Sequence, residues 1–271
     1  SGIKGDISGI RRVVHARKCI ASLTSMSRKL HISRRIRESS RQAQGCPDAG
    51  TQHSSLRWLS VSTTTPRSTA RQPRFLVVAG HPDPQSYSHA LARAYADAAQ
   101  QAGATVTFLD LATTDFDPVL RGGYRTRMPE DPFITHSQNE LVACDHLALA
   151  FPTWWSAEPS LLKGWFDRVL TPGIAYRYRT GKLMPERLLD GRTGTIITTS
   201  HGPRLWTRLA PGGPVSRIGR AVLGYCGVRV TQHLVMGGME GEKDTPQQRR
   251  DFLEQVAKAA TSKVKTIKHT R

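Results

Sequence analysis

An open α/β fold, a parallel sheet of five strands with helices on both faces, is predicted from three features of the sequence. Short, nearly continuous apolar runs recur, among them RFLVVAG at 74–80 and HLALAF at 146–151, as in strands buried on both faces. Segments with helical spacing of apolar residues stand between these runs. Helix-ending and helix-opening residues fall at the joins, such as Gly103, Gly227 and Pro246. Strands that alternate with helices pair in parallel, because each crossover helix carries the chain back to the end where the strand began.

The elements follow in order. RFLVVAG is the first strand. SHALARAYADAAQQAG at 88–103 then places Ala90, Leu91, Ala94, Tyr95, Ala98 and Ala99 on one helical face, with Gly103 at its end. ATVTFLDL at 104–111 is the second strand, ITHSQNELVAC at 134–144 a helix and HLALAF the third strand. In SAEPSLLKGWFDRVL, Ser156 is a plausible N-cap and Pro159 an early-turn residue. Leu161, Leu162, Trp165, Phe166 and Val169 form the apolar stripe of that helix. An excursion at 171–192 precedes the fourth strand, TGTIITT at 193–199. VSRIGRAVLGYCG at 215–227 reads as a helix closed by Gly227, and VRVTQHLVM at 228–236 as the fifth strand. Thr245 caps and Pro246 opens a last helix, with Phe252, Leu253, Val256, Ala259 and Ala260 inward and a basic end.

Of 271 residues 38% are hydrophobic, enough for a core, and the formal charge is +18. The charge is uneven. Residues 1–73 hold 14 Lys or Arg against three acids, whereas the remainder holds 25 against 18. This describes a basic leader on a mildly basic domain, so no nucleic-acid partner is expected. The leader, rich in Ser and Arg, reads as disordered. It is open to three accounts: an organelle transit segment, a basic arm for phosphates or anionic lipid, or the bland one of an over-extended reading frame or an unstructured tail. Cys19, Cys46, Cys144 and Cys226 have no metal-like or disulfide-framework spacing, which fits a reducing, cytoplasmic setting. No apolar run approaches the roughly 20 residues of a membrane span.

Ligands of parallel sheets bind outside the carboxyl ends of the strands, so three loops carry the functional expectation. GHPDPQSYS enters a helix, whose free N–H groups favour an anion; His81, Ser86, Tyr87 and Ser88 add donors there. FPTWWSAEP offers Trp154 and Trp155 to a planar ring, against the ordinary alternative that both indoles fill core. TTSHGPRLW offers hydroxyls and Trp206 to a polar rim. Tyr176 and Tyr178 alternate in the excursion, as on an extended segment with both rings on one side. There is no Walker loop, no GxGxxG and no GxSxG elbow, and no His/Cys cluster suggests a metal. A ligand that brings its own chemistry suits this set better than a catalytic triad.

From about Arg74 to Ala260 the chain resembles the NAD(P)H:quinone oxidoreductase family of flavodoxin-like flavoproteins. That group includes quinone reductases, modulator-of-drug-activity proteins and ancillary subunits of potassium efflux systems. The resemblance rests on LVVAGHPDPQSYSHAL, LDLATTDFDPVL, FPTWWSAEPSLLKGWFDRVLTPGIAYRY and TTSHGP. It implies a flavodoxin-like five-stranded sheet and a flavin, FMN or FAD. The phosphate would lie at His81, Ser86, Tyr87 and Ser88, and the isoalloxazine against Pro152, Thr153, Trp154 and Trp155. The ring's pyrimidine side would meet Thr198, Thr199, Ser200, His201 and Gly202. Tyr176 and Tyr178 match a pair that lines the nicotinamide and quinone site, and Tyr225 an aromatic position near it. Many members have TTGG where this chain has Thr198-Thr199-Ser200-His201, and no catalytic His is assigned.

The activity so implied is transfer of a hydride from NAD(P)H through flavin to a quinone or other electron-poor aromatic. Tyr176 and Tyr178 would position the acceptor. A homodimer is expected, since family members often dimerise near the flavin. The rival readings are an electron carrier, a flavin-binding regulator of a membrane transporter, and an inactive flavodoxin-like fold.

Overall fold

A computed structural model describes residues 71–123, 125–242 and 244–270. The expected basic leader lies outside those residues except for its last three. At that join Arg71 pairs with Asp145 at 3.0 Å. Five parallel strands form one sheet: β1 (Arg74–Ala79), β2 (Thr105–Asp110), β3 (His146–Pro152), β6 (Thr193–Thr199) and β7 (Arg229–Met236). Their spatial order is β2-β1-β3-β6-β7, the flavodoxin-like order for a five-strand sheet. The predicted strands match to within a residue or two. A separate two-stranded antiparallel pair, β4 (Tyr176–Arg177) with β5 (Glu186–Arg187), interrupts the run in the 171–192 excursion.

Alternation along β1 assigns the two cores. Leu76 and Val78 face the side covered by α2 (Pro132–Ala143) and α3 (Ser160–Val169). Phe75, Val77 and Ala79 face α1 (Tyr87–Gln101) and α7 (Pro246–Thr270). Every residue of β3 is buried, which is why HLALAF reads as an unbroken apolar run. α1 is rotated relative to expectation: Ala92 and Ala96 are buried with Leu91 and Tyr95, while Ala90 is exposed. The last helix follows expectation, with Phe252, Val256 and Ala260 buried and Thr245 capping the amide of Gln248 at 3.2 Å.

Two helix expectations change. α3 begins at Ser160, with Pro159 at the N-cap position; Ser156 lies in a turn before it with φ of 59° and caps nothing. The segment 214–226 is not one α-helix. It divides into α5 (Pro214–Ser216), a π-helix (Arg217–Leu223) and α6 (Gly224–Cys226), and ends where Gly227 takes φ of 106°. α4 (Arg204–Leu209) was not foreseen: it is too short to show a period.

At the amino end of β3 lies a buried polar cluster. His146 Nε2 meets Tyr95 Oη at 2.9 Å and Thr195 Oγ1 at 3.0 Å, and its Nδ1 meets Thr193 Oγ1 at 2.7 Å. Burial, with the Lys263 ammonium second, pushes the imidazole down to about 3. It is therefore neutral in the native state. Below its unfolded value near 6.5 the unfolded chain binds a proton that the native chain refuses. The contribution is complete above pH 6.5 and is lost as pH falls toward 3. Denaturant melts should show a slope of up to about 1.4 kcal/mol per pH unit from this group. His146→Gln should flatten the profile between pH 6.5 and 5 while lowering stability at pH 7; an unchanged profile would refute the assignment.

Candidate functional site

Strand order reverses between β1 and β3, and the loops that leave their carboxyl ends diverge to opposite faces. A cleft of about 150 Å³ opens there. Its walls include His81, Ser86, Tyr87, Ser88, Pro152, Thr153, Trp154, Thr199, Ser200 and His201, so all three predicted loops converge. Trp155, Thr198 and Gly202 are not in the wall. Thr198 is a buried floor residue whose hydroxyl meets Thr153 Oγ1 at 2.9 Å. Met239 and Glu240 complete the cleft and were missed. The signal was Gly237-Gly238 directly after the last strand: a Cβ at Gly237 would overlap the backbone of Arg204, so only glycine lets this loop cross there.

The N-terminus of α1 leaves backbone donors open. Ser86 Oγ accepts from the His89 amide at 3.2 Å, leaving the Tyr87 and Ser88 amides without an intrahelical acceptor. The Tyr87 hydroxyl is not available to a ligand, since it donates to the Arg249 carbonyl at 2.7 Å. His81 is fixed by the Asp83 amide, which donates to Nδ1 at 2.8 Å. Nε2 therefore carries the proton. Partial burial lowers the His81 pKa, opposed by Asp83, so it serves as a neutral donor rather than a cation. Trp154 stands edge-on to it, with centroids 5.3 Å apart.

The two tryptophans occupy a two-residue hairpin. Trp154 and Ala157 exchange both backbone hydrogen bonds at 2.8 Å, and the central Trp155 and Ser156 have φ of 50° and 59°. This is the geometry of a type I′ turn, which usually takes Asn or Gly. Left-handed backbone at a side-chain-bearing residue costs roughly 1–2 kcal/mol. Next in sequence, the buried carboxylate of Glu158 accepts from Arg217 on the π-helix, anchoring the turn across the fold. The turn aims the Trp155 indole wholly into solvent, at 101% exposure, so it is not core. Trp165 and Phe166 are core, as predicted, and Leu162 with them.

This geometry suits a flavin's needs. Among the described residues, the amides of Trp155, Ser156, His201 and Gly202 make no hydrogen bond. They sit on the two loops that contribute Trp154 and His201 to the cleft wall. The Thr153 amide is already used on Thr199 O at 2.7 Å. The cleft admits a phosphate or the edge of a ring, so a whole flavin would lie along its rim and over Trp154.

Tyr176, Tyr178 and Tyr225 form a separate cluster. Tyr176 packs edge-on against both others at 5.4 and 5.3 Å, and the Tyr178 and Tyr225 hydroxyls lie 3.3 Å apart. That contact, and to a lesser degree burial, pushes the Tyr225 phenol up to about 12. Tyr225 precedes β7 and Met239 follows it, so the eight-residue strand separates this cluster from the cleft by roughly 25 Å. Within one chain the tyrosines do not reach the cleft. Trp206, expected at the polar rim, is 67% exposed on α4 beside the exposed Leu205 and Leu209, outside the cleft wall. Among the described residues no group of His, Cys, Asp and Glu could hold a metal, and no helix is long and apolar enough to cross a membrane.

A parallel sheet of this order, with helices on both faces and unbonded backbone donors at its switch point, defines a flavodoxin-like α/β protein. More particularly, the chain belongs to the family described as flavodoxin-like fold, whose model matches residues 73–260. It is 28% identical over 185 residues to NAD(P)H dehydrogenase [quinone] 1 of Rattus norvegicus, covering 59% of this chain and 66% of that protein. It is 32% identical over 113 residues to an NAD(P)H oxidoreductase of Haemophilus influenzae, covering 40% of this chain and 55% of that one. The chain thus spans between about half and two thirds of these curated relatives. The crystal structure of Smu.1420 from Streptococcus mutans superposes with a TM-score of 0.56 at 27% identity, over 70% of this chain and 99% of that one.

Trp155→Ala removes only solvated surface from the fold. Its thermal midpoint should move by less than about 0.5 kcal/mol equivalent, while flavin affinity falls. Arg217→Met leaves the Glu158 carboxylate buried and unpaired, so it should cost about 3 kcal/mol, more than Glu158→Gln, which removes the charge. Equal losses in denaturant melts would show that the ion pair does not hold the turn.

Proposed function

We propose that the protein is a flavin-dependent NAD(P)H oxidoreductase that reduces quinones or related electron-poor aromatics. The N-terminus of α1, the Trp154 turn and the Thr199–His201 loop meet at one cleft, and the unbonded amides of Trp155, Ser156, His201 and Gly202 on the last two support this reading. The names of the curated relatives favour an enzyme over an electron carrier or a transporter subunit. A bound flavin, FMN or FAD, supplies a ring that takes up a hydride from NAD(P)H and returns it to the acceptor.

The chain's own contributions are positional and electrostatic. The Tyr87 and Ser88 amides and the dipole of α1 favour the flavin phosphate. Neutral His81 donates through Nε2 without placing a full positive charge beside the ring. The turn amides and those of the 200–202 loop stabilise negative charge as it develops on the ring's carbonyl edge. Trp154 and the solvated Trp155 give a planar ligand an apolar surface and shield it from water.

The tyrosine cluster argues for a homodimer. It lies too far from the cleft of its own chain to act there, yet Tyr178 is 67% exposed and ready for a ligand from outside the chain. In a dimer, one subunit's Tyr176, Tyr178 and Tyr225 would close the other's flavin cleft. A protonated Tyr225 phenol at neutral pH can donate to the oxygen of a reduced acceptor.

Purified protein, reconstituted with flavin, should show a visible flavin spectrum and oxidise NADH or NADPH with a simple quinone; failure to take up either flavin overturns the proposal. Tyr176→Ala with Tyr178→Ala should keep the flavin and lose about tenfold or more in acceptor turnover. Mixing that double variant with a flavin-deficient Trp155→Ala, Ser88→Pro variant should restore part of the activity, because one mixed site is then intact. Strict additivity of the separate activities would rule out shared sites.

A further inference from the structure

Three arginines at the opposite end of the sheet are not used by the cleft. A concavity of about 640 Å³ lies there, between the end of β5, the turn before β6, the π-helix and the start of β7. Arg187, Arg220 and Arg229 line it, with Asp190 as the only acid in its wall. A fourth guanidinium, Arg192, is committed to structure: it donates to the carbonyls of Leu141, Val142, Leu188 and Asp190. Arg187, Arg220 and Arg229 have no ion pair or side-chain hydrogen bond among the described residues. All three are exposed, so water carries their charge in the free chain.

Like charges gathered in a concavity repel, and the fold does not neutralise them internally. The field is felt nearby: Lys263 is held below its usual value by burial and then by Arg229. The backbone is also shaped for close approach. Glycines 191, 219, 224 and 227 line the same space, and the π-helix, a conformation frequent at functional sites, supplies Gly219 and Arg220. Gly227 is required twice, for its φ of 106° and because a Cβ would overlap Asp190.

We propose that this cavity is a second ligand site, which takes a nucleoside diphosphate. Planar guanidinium forks match phosphate oxygens bidentately, and three of them balance the charge of a diphosphate. The volume lies in the range of roughly 300–1,000 Å³ that holds whole small-molecule ligands, larger than a lone phosphate needs. The half-buried Val230 gives the wall an apolar portion for the nucleoside. β7 separates the site from the cleft of its own chain, and none of its residues lines that cleft.

Calorimetric titration of the full chain with ADP and with inorganic pyrophosphate, at low and at 0.15 M salt, tests this. ADP should bind more tightly than pyrophosphate, and both should weaken with salt. Arg220→Ser with Arg229→Ser should weaken both about tenfold or more, with unchanged melting and unchanged flavin content, since both side chains are exposed. Equal affinity in the variant would place binding elsewhere, at the basic leader or the flavin cleft, and overturn the proposal. So would no binding at low salt. Adsorption to phosphatidylserine vesicles through the same arginines, with no affinity for ADP or pyrophosphate, would assign them to a lipid surface instead.

Discussion

The register shared by β1, β3 and β6 is the constraint on which the functional end depends. Gly80 N donates to Ala150 O at 2.8 Å and Thr153 N to Thr199 O at 2.7 Å, so three neighbouring strands end nearly level. Because β3 is buried on both faces, it cannot slip by one residue without exchanging its two cores. The loops that leave these strands therefore open at the same height, and residues of all three line one cleft. The chemistry proposed for the cleft needs few specialised side chains. It needs backbone donors held still, which a doubly buried parallel sheet provides.

Of the three side-chain-bearing residues at positive φ among the described residues, Glu240 stands after the last strand, while Trp155 and Ser156 fall together in the Trp154–Ala157 hairpin. Two side-chain-bearing residues occupy left-handed conformations, a cost the local sequence gives no reason to accept. The two rungs of the hairpin and the Glu158–Arg217 pair resist its relaxation. The pair also joins this turn to the π-helix, so a change in one is felt by the other. One oxygen of Glu158, Oε1, is buried without a partner, the sole such side-chain atom among the described residues. The tether is thus an expensive one, retained for position rather than for stability.

Much of this was legible in the sequence, and the reasons for the rest are specific. The apolar runs at 74–80, 146–151 and 193–199 read as strands because burial on both faces leaves no polar alternation to confuse. The cleft loops were found by the carboxyl-end rule, which is topological and needs no side-chain detail. Met239 and Glu240 stand in the loop after the last strand, GGMEGE, which carries no aromatic ring or hydroxyl to mark a ligand site. Ser156 was misread because Ser before a helical stripe is a common cap, and only the backbone reveals a turn in its place. The π-helix was invisible, since one extra residue per turn shifts a stripe too little to register over seven residues. Chain order already sets the tyrosines apart from the cleft, since Tyr176 and Tyr178 come before β6 and Tyr225 before β7, at the amino ends of those strands.

The placement of the indoles has an optical consequence. Trp165 is sealed in the core, whereas Trp154, Trp155 and Trp206 stand in or near water. Fluorescence from this chain therefore combines a shielded emitter with solvated ones, and Trp154 lines the cleft itself with Trp155 next to it in the turn. A flat chromophore arriving there would dim the red-shifted component and spare the blue. The turn that positions the ligand is thereby also a built-in reporter of its arrival.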